Sequence, residues 1–148
     1  MKNKIQKFRL RIPSLTDNLQ IIREFVINIA AKAGFNEESQ GQIALAVDEA
    51  CTNVIKHAYK YHAKKPIEIV LRIDSKKIKI IISDKGTGFD ISKVKKPDLK
   101  KYIKESRHNG LGIYLMRTLM DEVNYVFSPG TKNQVEMIKY LEKPKISA

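Results

Sequence analysis

The order of patterns along this chain predicts an α+β fold, with helices on one face of a mixed, mostly antiparallel sheet. Three observations carry that reading. Apolar residues alternating with polar or mixed positions recur near both ends and in the middle, marking strands. Apolar stripes at steps of three and four lie between them, marking helices. The resulting order is strand, helix, helix, strand, strand, loop, helix, strand, strand, which groups hairpins rather than alternating single strands with helices.

Each element has its own warrant. "KFRLRI" sets Phe8, Leu10 and Ile12 against Lys7, Arg9 and Arg11, the signature of a half-buried strand that Pro13 ends. Ser14 or Thr16 is expected to cap the next helix, with Asp17 in its first turn favoured by the helix dipole. Leu19, Ile22, Val26, Ile29 and Ala33 form that helix's apolar stripe, and Gly34 supplies the stop. A second helix is expected over 38–59, on the apolar line Ile43, Val47, Ala50, Val54 and Ala58. Ile67, Ile69, Leu71 and Ile73, then Ile78, Ile80 and Ile82, flank the turn residues Asp74, Ser75 and Lys76 and predict a hairpin. Residues 90–109 are rich in Lys and lack a clean period, so a long loop is expected there. A third helix over 110–122 would bury Leu111, Leu115, Leu119 and Met120. "NYVFS" and "QVEMIKYL", joined by "PGTK", predict a last hairpin, and 142–148 a frayed tail.

At 148 residues, with no repeat or dividing linker, the chain is expected to be one domain spanning 1–148. No apolar run approaches the ~20 residues that cross a bilayer. The basic N-terminus lacks the apolar core of a signal peptide, so cytoplasmic residence is expected. Cys51 is the only cysteine, which excludes an intrachain disulfide and a multi-cysteine zinc site; between Ala50 and Thr52 it is expected to be inert packing. The net charge of +12 attracts anionic partners in general, but no zinc-finger or aromatic–basic RNA signature accompanies it, so no specific nucleic acid and no membrane partner is expected.

Three stretches carry chemistry: "DEACTNVIKHAY" at 48–59, "SDKGTGFD" at 83–90 and "HNGLGIYLM" at 108–116. Glu49, Asn53 and His57 follow each other at steps of four and form one ridge of a helix beside its apolar line. Mg²⁺ takes oxygen ligands and keeps waters when it bridges phosphates, a role an Asn carbonyl fits. A carboxylate one turn away can accept a proton from a hydroxyl or water attacking a γ-phosphate. Asp84 ends an apolar strand beside a glycine turn, where it can accept from the exocyclic amine of adenine. Gly86 and Gly88 let backbone approach a ligand without a Cβ clash. Gly110 and Gly112 open a helix whose free N–H groups offer a phosphate cradle. The alternatives are an ordinary polar helix flank, a plain strand-end turn and a tight helix start. No P-loop or dinucleotide fingerprint is present.

Together these motifs resemble the GHKL ATPase superfamily of gyrase, the heat-shock 90 chaperone, histidine kinases and mismatch-repair ATPases. "EACTN" is similar to its N-box, "DKGTGF" to its first glycine box, "GLG" to its second, and "PGTKNQVEM" to the strand–turn–strand that carries a Thr near adenine. Within it, "DEACTN…HAY", "PDL" and "GLGIYLMRTLMDEV" most resemble the small bacterial anti-sigma-factor serine kinases. That resemblance implies a Bergerat-type two-layer α+β sandwich with three helices on one face, binding Mg-ATP. It implies phosphorylation of a serine on an anti-sigma antagonist protein, sequestration of a sigma factor, and a homodimer. By the same resemblance Glu49 is the base, Asn53 the Mg²⁺ ligand and Asp84 the adenine acceptor. Gly86, Gly88, Gly110, Leu111 and Gly112 shape pocket and lid, and Thr131 sits near adenine. The lid departs from the family in its seven basic residues (Lys93, Lys95, Lys96, Lys100, Lys101, Lys104, Arg107), and Arg107-His108-Asn109 stands where glycine is common.

Glu49 also separates the competing functions. A serine hydroxyl is a poor nucleophile at neutral pH and gains from a base, whereas imidazole needs one less. Gyrase-like and mismatch-repair-like machines use a Glu to activate water, but they resemble larger proteins with a second domain that senses ATP, for which no room is expected soon after Leu141. A catalytically weak, nucleotide-gated protein-binding module of the same fold is the remaining alternative.

Overall fold

In a computed structural model of the chain, residues 4–59, 61, 65–85, 112–128 and 131–141 are described. Five strands form one sheet: β1 (Gln6–Pro13), β2 (Pro66–Ile73), β3 (Lys77–Asp84), β4 (Glu122–Ser128) and β5 (Lys132–Tyr140). Their spatial order is β1-β2-β3-β5-β4, and the four pairings are antiparallel throughout. Three helices accompany it: α1 (Leu19–Ala33), α2 (Glu37–Asn53) and α3 (Gly112–Leu119). Helix α2 packs between α1 and α3.

Alternation places the core. Ile67, Ile69, Leu71 and Ile73 of β2, Ile78, Ile80 and Ile82 of β3, and Val135 and Met137 of β5 are buried in one cluster. They meet Ile22, Val26 and Ile29 of α1, Ile43, Val47 and Ala50 of α2, and Met116 of α3. Asp74 fixes the β2–β3 turn, its Oδ1 accepting from the N–H of Lys76 at 2.7 Å and of Lys77 at 3.0 Å. Gly34 ends α1 with φ at 104°, a conformation glycine adopts freely, and its N–H reaches back to the Ala30 and Ala31 carbonyls.

Three boundaries differ from the sequence expectation. The cap positions ahead of α1 fall on Leu15 and Asn18, not on Ser14 or Thr16: a tight 3₁₀ turn, Thr16–Asn18, leads into the helix, and neither cap makes a side-chain cap bond. The Asn18 amide is spent instead on the Pro13 carbonyl, at 2.9 Å. The second helix does not run unbroken to residue 59. After Asn53 the backbone widens into one π-helical turn, Val54–Ala58, with the Tyr59 N–H donating to the Val54 carbonyl five residues back at 2.9 Å. That one-residue slip moves the buried line from Val54 to Tyr59, which is 2% exposed, and leaves Ala58 half-buried. Helix α3 ends at Leu119, and Glu122 opens β4. The reason is that the Asp121 N–H already pairs with the Ile138 carbonyl at 2.9 Å, while Lys139 Nζ donates to the Leu119 carbonyl at 2.7 Å and closes the helix end.

The expected lid over 90–109 and the tail over 142–148 lie outside the described residues. Among the described residues no helix is long and apolar enough to cross a membrane.

Candidate functional site

Helix α2 starts cleanly, which sets the phase of everything along it. Asn36 caps it by accepting from the Ser39 N–H at 2.8 Å, and Glu37 and Glu38 occupy the first turn, where the dipole favours acids. In that phase Asp48 and Glu49 diverge. Asp48 turns to α1 and pairs with Arg23 at 2.8 Å. Glu49 and Asn53 share one flank of α2, both half-buried beside the apolar line. Burial, and then the neighbouring Asp48 charge, raise the Glu49 carboxyl above the ordinary glutamate value; Lys56 partly offsets them. A half-buried carboxyl with raised proton affinity is suited to accept a proton.

Asn53 Nδ2 is buried and has no hydrogen-bond partner among the described residues. A buried amide that the surrounding protein does not satisfy is costly, and an external ligand is one way to relieve it. An amide flip exchanges nitrogen and oxygen, so the same terminus can present a carbonyl. No group of three or more His, Cys, Asp and Glu among the described residues could hold a metal alone.

At the far end of β3, Asp84 continues the inward line of Ile78, Ile80 and Ile82 and is 7% exposed. It faces Asn133 across the ladder, and Asn133 Nδ2 donates to Asp84 Oδ1 at 3.2 Å. Asn133 was not among the sequence-predicted site residues. Its signal is the alternation of Val135 and Met137, which carries an inward position back to 133. Thr131 lies in the turn before β5, its N–H donating to the Ser128 carbonyl at 3.0 Å. Asp84 and Thr131 line one cleft of about 400 Å³ together with Arg11, Lys85 and Lys132.

The structure thus brings Glu49 to Asn53 and Asp84 to Thr131. Gly112 is the first residue of α3. Gly86, Gly88, Gly110 and Leu111 lie outside the described residues. Cys51 is fully buried, and burial drives its thiol far above the usual range, which leaves it protonated and inert.

A family model described as "Histidine kinase-like ATPase domain" matches residues 12–139. The chain belongs to the histidine kinase-like ATPase family. Among its relatives is "Serine-protein kinase RsbW" of Bacillus thuringiensis (strain Al Hakam), 31% identical over 150 residues that cover 99% of this chain and 92% of that one. A protein of the same name from Bacillus anthracis (strain CDC 684 / NRRL 3495) is 32% identical with the same coverage. Among solved structures, the RsbU and RsbW domains of Rv1364c from Mycobacterium tuberculosis align with a TM-score of 0.67 at 13% identity, over 94% of this chain and 33% of that longer one. This likeness bears on the fold, and the fold agrees with the two-layer arrangement expected of the family.

Proposed function

We propose that this chain is an ATP-dependent protein serine kinase that acts as an anti-sigma factor. It phosphorylates a serine of an anti-sigma antagonist protein, holds a sigma factor, and works as a homodimer. The family membership and the relatives named serine-protein kinases support the reading at the level of chemistry. The observation that carries it is Glu49: a half-buried carboxyl with raised proton affinity, one helical turn from Asn53 on the same flank of α2.

In this reading Glu49 accepts the proton of the substrate serine as its oxygen attacks the γ-phosphate, and Asp84 accepts from the adenine amine. Asn53 would hold Mg²⁺, which when bound neutralises phosphate charge. Thr131 contributes beside the adenine, while Gly86, Gly88, Gly110, Leu111 and Gly112 shape pocket and lid. Phosphoryl transfer depends mainly on such positioning and charge stabilisation.

The test is transfer of label from γ-labelled ATP to the candidate antagonist, for wild type and Glu49→Gln. The expected result is transfer by wild type and its loss in the variant, with ATP binding kept. Wild-type ATP binding without transfer to a verified partner would remove the kinase reading and leave a nucleotide-gated binding module.

A further inference from the structure

The phenol of Tyr59 joins three parts of the molecule that the sequence keeps apart. Tyr59 stands at the end of the π-helical turn that continues the Glu49–Asn53 helix. Its hydroxyl donates to the Pro66 carbonyl, where β2 begins, at 2.8 Å. The same oxygen accepts from the Lys85 N–H, also at 2.8 Å. Lys85 directly follows Asp84, at the point where the β3 ladder stops and its own N–H has run out of strand partners. A hydroxyl has one proton to give and lone pairs to receive, so this geometry uses it in both senses. Burial is the main reason the phenol holds its proton more tightly than usual, and like any tyrosine hydroxyl it is protonated at neutral pH.

The π turn is what makes the contact possible. In an unbroken α-helix the residue four after Val54, Ala58, would face the core. The slip of one residue puts Tyr59 there, the longer side chain that spans to the strand ends. The hydrogen bond to Lys85 N then constrains the peptide between Asp84 and Lys85. Asn133 holds the Asp84 carboxylate from the other side, at 3.2 Å.

We propose that Tyr59 is a positioning residue for Asp84: its hydroxyl fixes the Asp84–Lys85 peptide, and thereby the direction in which the Asp84 carboxylate meets a purine amine. Tyr59 thus sets selectivity for adenine over guanine without touching the base. The proposal rests on the reading of Asp84 as adenine acceptor, so the experiment separates the two.

Calorimetric titrations with Mg-ATP and Mg-GTP are run on the full chain for wild type, Tyr59→Phe, Asp84→Asn and the double variant. Tyr59→Phe keeps the buried ring and removes only the hydroxyl. It is expected to reduce ATP affinity about tenfold, a loss on the scale of one hydrogen bond. GTP affinity, which draws on the shared triphosphate, should stay within about threefold. In the double variant the remaining ATP preference should equal that of Asp84→Asn alone, since both act through one carboxylate. A purely structural role would weaken both nucleotides alike, and that outcome overturns the proposal. Unchanged ATP affinity in Tyr59→Phe, with Asp84→Asn still losing the preference, overturns the Tyr59 role and spares Asp84. An ATP preference that survives Asp84→Asn overturns both. Wild type supplies a check that needs no variant: the Lys85 amide resonance should shift with ATP and not with GTP, and equal shifts count against the proposal.

Discussion

At the residue scale, the raised proton affinity of Glu49 has a sign that can be followed through pH. Its charged form is disfavoured in the folded chain, first by burial and then by Asp48. Folded protein therefore binds the proton more tightly than unfolded protein does. This group's contribution to stability grows as pH falls through its raised value toward 4.5, and is lost as pH rises. Glu49→Gln removes an ionised group that the fold disfavours, so at pH 7 it should melt no lower than wild type while losing about 10²–10⁴-fold in phosphotransfer. The acid limb of the wild-type pH–rate profile should have its midpoint above 4.5. Asp48→Asn should move that midpoint down, because the second cause of the rise is gone; an unmoved limb in stopped-time assays at constant ionic strength would show that Glu49 is not the titrating base. Asp84→Asn should weaken ATP strongly, since an amide can present a donor where an acceptor is wanted, and calorimetry reads this directly. The places of Glu49, Asn53 and Asp84 were legible in the sequence because spacing within one helix, or position at one strand end, sets them. The contacts of Asn133 and Tyr59 were not, because they join residues 49 and 26 positions apart.

At the element scale, the strands were read closely because Ile67, Ile69, Leu71 and Ile73, and Ile78, Ile80 and Ile82, recur at every second position despite the apolar Val70 and Ile81 between them, and both inward lines are buried as expected. The second helix was read too long because the widening after Asn53 leaves no mark in a three-and-four pattern: Ala58 and Tyr59 both suit a core position, and only the tertiary contacts choose between them. The end of the third helix was misjudged for a related reason, since Glu122 suits a helix but the β5 ladder claims the chain from Asp121 onward. Gly34 is the element-scale control. A Cβ there would meet Leu141 Cδ2 at a comfortable 3.7 Å, so space is not the obstacle, yet φ stays at 104°. Gly34→Ala should therefore cost about 1–2 kcal/mol through backbone strain alone, lowering the melting temperature by about 2–8 °C. Denaturant titration should show a lower midpoint at unchanged slope. A variant as stable as wild type would mean that α1 can end in another way.

At the scale of the whole molecule, the net charge of +12 is spread over strands, helices and the basic segment 93–107, and Lys79–Glu136 and Arg23–Asp48 are two ion pairs among the described residues. Duplex DNA should bind weakly at low salt, and affinity should fall by orders of magnitude as salt rises from about 50 to 200 mM. Binding that withstood this rise in a fluorescence titration would point to a specific nucleic-acid partner. Sheet order carries a different consequence. The central strand β3 takes β2 on one side, its neighbour in sequence, and β5 on the other, which reaches it from near the far end of the chain. Until β5 has left the ribosome, β3 has a bare edge and Asp84 lacks Asn133 across from it. At a synthesis rate of about 5–20 residues per second, the chain passes several seconds as the three-stranded sheet β1-β2-β3, with the β3 edge still open. A nascent chain halted before residue 131 should therefore pass unbound through an immobilised-ATP column, and one released at full length should be retained. If Asp84 and Asn133 together meet the nucleotide, nucleotide cannot assist the first folding steps, and the chain becomes competent for its ligand only once β5 is made.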